Sequence, residues 1–160
     1  MLFRSNIQAP FGKGFTVFAG YQLLFTGDTE IRSQIKKGLV FGRDIPGGAA
    51  RLMFLSDYGG LLNRSRHQAN LRFFYENPVK GYTANMRLMY RSRWGVTDLD
   101  GNGFANMNKE YAKGFLQINM AATKHIMNHF ELQVGVNNLL NYTDPVNLPN
   151  ISARQYFIAF

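Results

Sequence analysis

Asp98-Leu99-Asp100-Gly101-Asn102-Gly103 sets oxygen donors at alternate positions and a glycine at the sixth. Hard oxygens at the first, third and fifth places, with a turn-forming glycine after them, are what a loop needs to wrap Ca²⁺. The twelfth place of such a loop falls on Lys109, and Glu110, one residue later, is near enough to reach in. The candidate ligands are therefore Asp98, Asp100, Asn102 and Glu110, with Ca²⁺ in loop 95–112 as an optional ligand and no cofactor required. The same residue types also make an ordinary turn without metal.

A second group is cationic. Arg32, Lys36, Lys37, Arg43, Arg51, Arg64, Arg66 and His67 crowd into residues 27–67. Such a cluster attracts anions, and Arg43, Arg51, Arg64 and Arg66 are its candidate anion contacts. Lipopolysaccharide phosphates or plain solvent suit the same residues. His125 and His129 stand four apart, the spacing of a helical metal pair, but they flank a short turn and read as turn residues. No nucleophile–base arrangement, phosphate-cradling glycine loop or carboxylate dyad is present, and Gly-Gly at 47–48 and 59–60 punctuates loops. The expectation is a protein that is not an enzyme.

The elements that would carry these residues alternate with period two. Phe15, Val17, Ala19, Tyr21, Leu23 and Phe25 share one face of the clearest segment. Segments 67–76, 81–94, 114–124 and 129–139 repeat the pattern, 2–9 is a weaker strand, and Tyr156, Ile158 and Phe160 continue it to the end. The spacing predicts an all-β chain of about seven strands. One face is apolar along nearly every strand. The other carries Arg72, Arg87, Arg91 and Glu131, so water must reach it. Most strands run to about 10–13 residues, the length of a tilted strand across a bilayer. Turns at 10–14, 77–81 and 124–128 are short, whereas connections at 27–66, 95–112 and 140–152 are long. Short turns on one side and long loops on the other belong to an antiparallel transmembrane β-barrel, with the long loops outside the cell and Phe160 on the periplasmic side. Phe15, Phe25, Tyr75, Tyr82, Trp94, Phe130, Tyr156 and Phe160 sit near strand ends, where rings meet lipid headgroups. No stretch approaches the roughly 18 apolar residues of a membrane helix. The chain of 160 residues has no cysteine and a formal charge of +8, which excludes a disulfide framework and thiolate metal sites.

Three stretches carry a family resemblance. Gly135-Val136-Asn137-Asn138-Leu139-Leu140-Asn141-Tyr142-Thr143-Asp144-Pro145 resembles the stretch of TonB-dependent outer-membrane receptors that precedes their closing strand. Asn150 to Tyr156 occupies the place of the Pro-Gly-Arg-x-Tyr opening of that strand, with Ser152-Ala153 where the family has Pro-Gly. Arg64-Ser65-Arg66-His67-Gln68-Ala69-Asn70-Leu71 is similar to a family segment that begins a strand late in the barrel, which favours a structural role for His67. The resemblance covers about residues 14–160 and implies the C-terminal portion of a barrel of about 22 strands with a plugged lumen. It implies active uptake of a scarce large solute, such as a ferric siderophore, haem or cobalamin. Arg72, Arg87, Arg91 and Glu131 would line the lumen. Tyr156, Ile158 and Phe160 would be the signal read by the barrel-assembly machinery. The implied partners are membrane lipid and lipopolysaccharide, the rest of the barrel and the plug, and TonB through the plug-bearing part. The implied location is the outer membrane of a Gram-negative bacterium.

Residues 1–6 lack the features of a signal peptide, so the chain reads as a mature fragment or the tail of a longer precursor. Seven strands are fewer than the roughly eight that close a barrel, and the missing strands are expected from elsewhere. A stand-alone small outer-membrane barrel with a structural or adhesion role is the alternative, with its eighth strand drawn from 38–56. A soluble basic domain for nucleic acid would need a basic stripe with stacking aromatics. The arginines are instead divided between loops and several strands, and no nucleic-acid partner is expected.

Overall fold

The computed structural model describes residues 1–10, 12–126 and 130–160. Its long strands are β1 (Leu2–Pro10), β2 (Phe15–Leu24), β5 (His67–Asn77), β6 (Tyr82–Arg91), β9 (Phe115–Ile126), β10 (Phe130–Asn137) and β11 (Gln155–Ala159). Between them lie α1 (Thr29–Lys36), the two-residue strands β3 (Phe41–Gly42) and β4 (Arg51–Leu52), and the equally short β7 (Trp94–Gly95) and β8 (Tyr111–Ala112). The long strands form one antiparallel sheet in the order β1-β2-β5-β6-β9-β10-β11, an up-and-down meander that does not close on itself. Among the described residues the outer edges of β1 and β11 have no partner strand.

Register turns the alternation into two surfaces. Tyr75, Ala84, Ala122, Val134 and Ile158 lie in one row across five strands. Phe73, Met86, Met120, Val136 and Tyr156 form the next row on the same face. One residue along, Arg72, Arg87 and Asn119 lie in a row on the opposite face. Because side chains alternate with period two, a one-residue slip in any strand would exchange its faces. The matched rows are what hold the register.

The turn before β2 depends on a glycine. Gly14 has φ 80°, its carbonyl accepts Glu76 N–H at 2.8 Å, and a Cβ there would overlap the Glu76 carbonyl oxygen. Glycine is the residue that meets both demands without strain. The next short turn is held by Asn77, whose side chain accepts Lys80 N–H at 3.0 Å.

The chain divides into two compact units. The first comprises Met1–Phe3, Leu23–His67 and Ser92–Gly114, the second Arg4–Gln22, Gln68–Arg91 and Phe115–Phe160. The second unit holds most of the sheet. The first has a core of its own, built on Ile35, Val40, Met53 and Phe104 with Ile31 and Tyr58 packed against it. Tyr58 and Phe104 meet edge to face at 5.0 Å. Asp28 caps α1 by accepting Glu30 N–H at 2.7 Å and Ile31 N–H at 3.2 Å, while Tyr58 OH accepts Asp28 N–H at 2.7 Å.

Two expectations change here. The 81–94 strand ends at Arg91, and Trp94 pairs with Ala112 in the β7–β8 ribbon, only 3% exposed. Trp94 is therefore a packing residue of the first unit and not a ring at a strand end. Residues 38–56 give the two-residue ribbon β3–β4, not an eighth long strand. Segment 95–112 likewise folds into a packed structure with buried Phe104, Ala105 and Met107.

Candidate functional site

The sheet of the second unit presents two chemically opposite walls. On the apolar wall Tyr82, Tyr90, Leu116, Met120, Val134, Tyr156 and Ile158 are all exposed, Ile158 by 60%. A contiguous apolar surface of this kind needs a cover, whether lipid or protein. Lys124 lies on this wall near its short-turn end, where its Nζ sits 3.8 Å from the Tyr82 ring centroid and donates to Lys80 O at 2.5 Å. A long amphipathic side chain that buries its stem and leads its charge to a strand end suits the border of an apolar layer. Phe15 and Tyr75 pack at 4.5 Å on the same wall.

The other wall is rich in amides and guanidiniums. A cleft of about 280 Å³ is lined by Arg4, Asn6, Gln68, Asn70, Arg87 and Arg91, among others, with no carboxylate in its lining. Arg72 and Arg87 stand directly opposite one another across β5 and β6, an arrangement of like charges that is unfavourable unless something offsets it. Arg72 lies 5.9 Å from the rings of both Phe18 and Phe74, which supplies weak cation–π attraction. Glu131 is on this wall too, with His125 Nδ1 3.6 Å from its Oε2 across the β9–β10 pair. The four residues assigned to a lumen thus share one face. His129, read as a turn residue, lies outside the described residues.

The candidate metal ligands fall together in the first unit. Asp98, Asp100 and Glu110 each place an oxygen within 4.8 Å of the others. Asp98 folds the loop over itself, accepting Gly101 N–H at 2.8 Å and Asn102 N–H at 3.3 Å on Oδ1, and Gly103 N–H at 2.7 Å on Oδ2. Glu110 arrives from a 3₁₀ turn, Asn108–Glu110. It is 0% exposed and accepts N–H groups of Leu99, Asn106 and Met107, each at 2.7 Å. Asp100 Oδ2 accepts Arg43 N–H at 2.7 Å, whereas Oδ1 is enclosed with no hydrogen-bond partner. Asn102 stands beside them, its Oδ1 accepting Phe104 N–H at 3.0 Å and its Nδ2 donating to Asn106 Oδ1 at 2.8 Å.

Of the four candidate anion-contacting arginines, Arg43, Arg51 and Arg66 have partners within the protein. Arg51 is held by two carboxylates, with N···O distances of 2.7 Å to Asp44 and 2.9 Å to Asp57. Hydrogen bonds from Arg51 hold the Asp44 and Asp57 carboxyls below the usual carboxylate value, and those bonds raise the Arg51 guanidinium in turn. Arg43 Nε donates to Gly48 O at 3.0 Å. Arg66 lies over the Phe25 ring at 4.4 Å, and both Arg64 and Arg66 are exposed.

Two structural anchors escaped the sequence reading. Asn138, with φ 53° and 1% exposed, donates from Nδ2 to Tyr142 O at 2.7 Å and Ser152 O at 2.8 Å, and accepts Tyr142 N–H at 3.0 Å. It ties the 138–154 connection into one piece. The Asn-Asn-Leu-Leu stretch contained the signal, since asparagine is among the few residues that tolerate φ > 0. The second is Phe157, which pairs with Gly135 across β10 and β11 and covers the space a side chain there would fill. Tyr156, Ile158 and Phe160 follow on the exposed apolar wall, Phe160 just beyond β11.

No family model matches this sequence, and no curated protein matches it. The fold, an open all-β antiparallel meander, does have a solved counterpart. It is similar to the ferric enterobactin receptor PfeA of Pseudomonas aeruginosa, solved as a single-residue mutant, with TM-score 0.55 and 10% identity over 87% of this chain. The chain spans 16% of the length of that receptor. At this identity the likeness is one of fold: the sheet is built as a section of that receptor is built.

Proposed function

We propose that this chain forms part of the wall of a TonB-dependent outer-membrane receptor that takes up a scarce large solute, with a ferric siderophore ahead of haem or cobalamin. The observation that carries this reading is the two-walled sheet. A continuous exposed apolar wall backs directly onto a wall of arginines and amides, in strands joined alternately by short turns and long connections. Lipid on one side and a wet lumen on the other satisfy both walls at once. The likeness of fold to a ferric enterobactin receptor supports the same reading.

In this reading the free edges of β1 and β11 pair with further barrel strands, because unpaired backbone groups in lipid cost several kcal/mol each. Arg72, Arg87 and Arg91 face a plug whose carboxylates offset the opposed guanidiniums. TonB engages the plug-bearing part. Tyr156, Ile158 and Phe160 are the strand recognised by the assembly machinery. Lipid and lipopolysaccharide contact the outer wall. The protein moves its solute without covalent chemistry.

The test is genetic and biochemical together. The reading frame upstream of residue 1 should encode a plug and additional strands. Deleting the whole frame should abolish uptake of one radio-iron siderophore and of no other tested siderophore. A frame that adds no further strands, or a deletion that leaves siderophore, haem and cobalamin uptake intact, would reject the proposal.

A further inference from the structure

The carboxylate cluster of the first unit holds more negative charge than its surroundings answer. The ion pairs of Arg51 with Asp44 and Asp57 and of His125 with Glu131 lie elsewhere, and among the described residues no ion pair reaches Asp98, Asp100 or Glu110. The neighbouring Arg43 supplies its backbone N–H to Asp100, while its side-chain Nε donates to Gly48 O. Every hydrogen bond given to the three carboxylates comes from backbone N–H groups. These dipoles orient the oxygens but bring no full positive charge.

An independent observation points to a ligand. Asp100 Oδ1 is shut away from solvent and accepts no hydrogen bond. A buried oxygen of a carboxylate without a donor is costly, and an ion is one of the few things that explains one. Gly42 packs against the same cluster. It lies so close to Asp100 and Asn102 that a Cβ would press on both side chains.

We propose that Asp98, Asp100 and Glu110, with the Asn102 amide oxygen, bind a single Ca²⁺. The spread of the carboxylate oxygens, within 4.8 Å, suits one cation, since ligands at 2.3–2.6 Å from Ca²⁺ stand at most about 5 Å apart. The ligand set is all oxygen, which favours a hard cation over zinc or copper. A loop of several carboxylates and an amide, able to adjust its geometry, suits Ca²⁺ better than the strict octahedron of Mg²⁺. The backbone bonds already made leave lone pairs free, because each carboxylate oxygen has two. Bound there, the cation joins segment 98–110 to Arg43 through Asp100 and Asn106, whose Nδ2 donates to Arg43 O at 2.6 Å. It would thereby fasten the two long connections around the Met53–Phe104 core. The site stands apart from the transport reading and holds whatever the sheet does.

The experiment is calorimetric titration of the full chain, refolded in detergent and stripped with chelator, against CaCl₂ and MgCl₂ separately. One Ca²⁺ per chain is expected, in the range from micromolar to about 1 mM, with Mg²⁺ at least tenfold weaker. Asp98→Asn and Asp100→Asn should each weaken Ca²⁺ at least tenfold while leaving amide exchange in the β6–β9 pair unchanged. Heat that survives both substitutions, or no heat up to about 10 mM Ca²⁺, would overturn the proposal. If the variants do not fold, amide exchange of the unsubstituted chain decides. Slowing of residues 98–110 and 40–43 on adding Ca²⁺ supports the site. No change there would overturn it.

Discussion

Asn138 shows how much one buried side chain can carry at the residue scale. Its three hydrogen bonds span residues 138 to 152, and its backbone sits at φ 53°. Asn138→Ala should cost about 3 kcal/mol in denaturant unfolding, from unpaired carbonyls and from a strained alanine. Asn138→Gly keeps the backbone conformation and should cost about 2 kcal/mol, so the difference isolates the strain. The Arg51 pair of ion contacts gives a prediction with a sign. Asp57 is held below its ordinary value of 3.8 by hydrogen bonds from Arg51, so its folded-state value lies under its unfolded one. Its contribution is full above 3.8, and it is lost as pH falls through the lowered value. NMR titration should find the Asp57 midpoint below 3.8, moving up toward 3.8 in Arg51→Met. An unchanged midpoint would mean that Arg51 is not its cause. The grouping of the acidic loop was legible because Asp, Asn and Gly at that spacing favour a tight turn, and the structure brings Asp98, Asp100 and Glu110 together. The fate of Arg51 was not, because Asp44 and Asp57 meet it only once β3 and β4 have folded.

Elements were readable where alternation was strict. β2, β5, β6 and β9 lie within a few residues of their predicted bounds because each exposes one face and wets the other, and only one register satisfies both. The long connections were not readable. Ile35, Val40, Met53 and Phe104 are scattered over a helix, a two-residue ribbon and loops, and no single period joins them. Trp94 misled for a related reason: it continues the alternation of β6 by parity, yet the chain leaves the sheet after Arg91 and buries the indole elsewhere. Gly135 offers a test of how strands β9 to β11 hold together. The Phe157 ring covers it, and Met120 O stands 2.6 Å from where a Cβ would be. Gly135→Val should displace Phe157 and accelerate amide exchange in β10 and β11 by at least tenfold, with β5 and β6 unaffected. Equal exchange in wild type and variant would show that the ring is not packing there.

For the whole molecule, the likeness of fold agrees with the antiparallel all-β sheet that the alternation implied. The central claim is that one wall faces lipid. Because the chain has no cysteine, single cysteines can be placed along β6 without removing any. The measurement is quenching of a fluorophore on each cysteine, in bilayers whose acyl chains carry the quencher. Ala84→Cys, Met86→Cys and Leu88→Cys should be quenched strongly, and Thr83→Cys, Asn85→Cys and Arg87→Cys weakly, an alternation with period two. Uniform quenching along β6, or a chain that stays soluble and monomeric without detergent, would contradict the account.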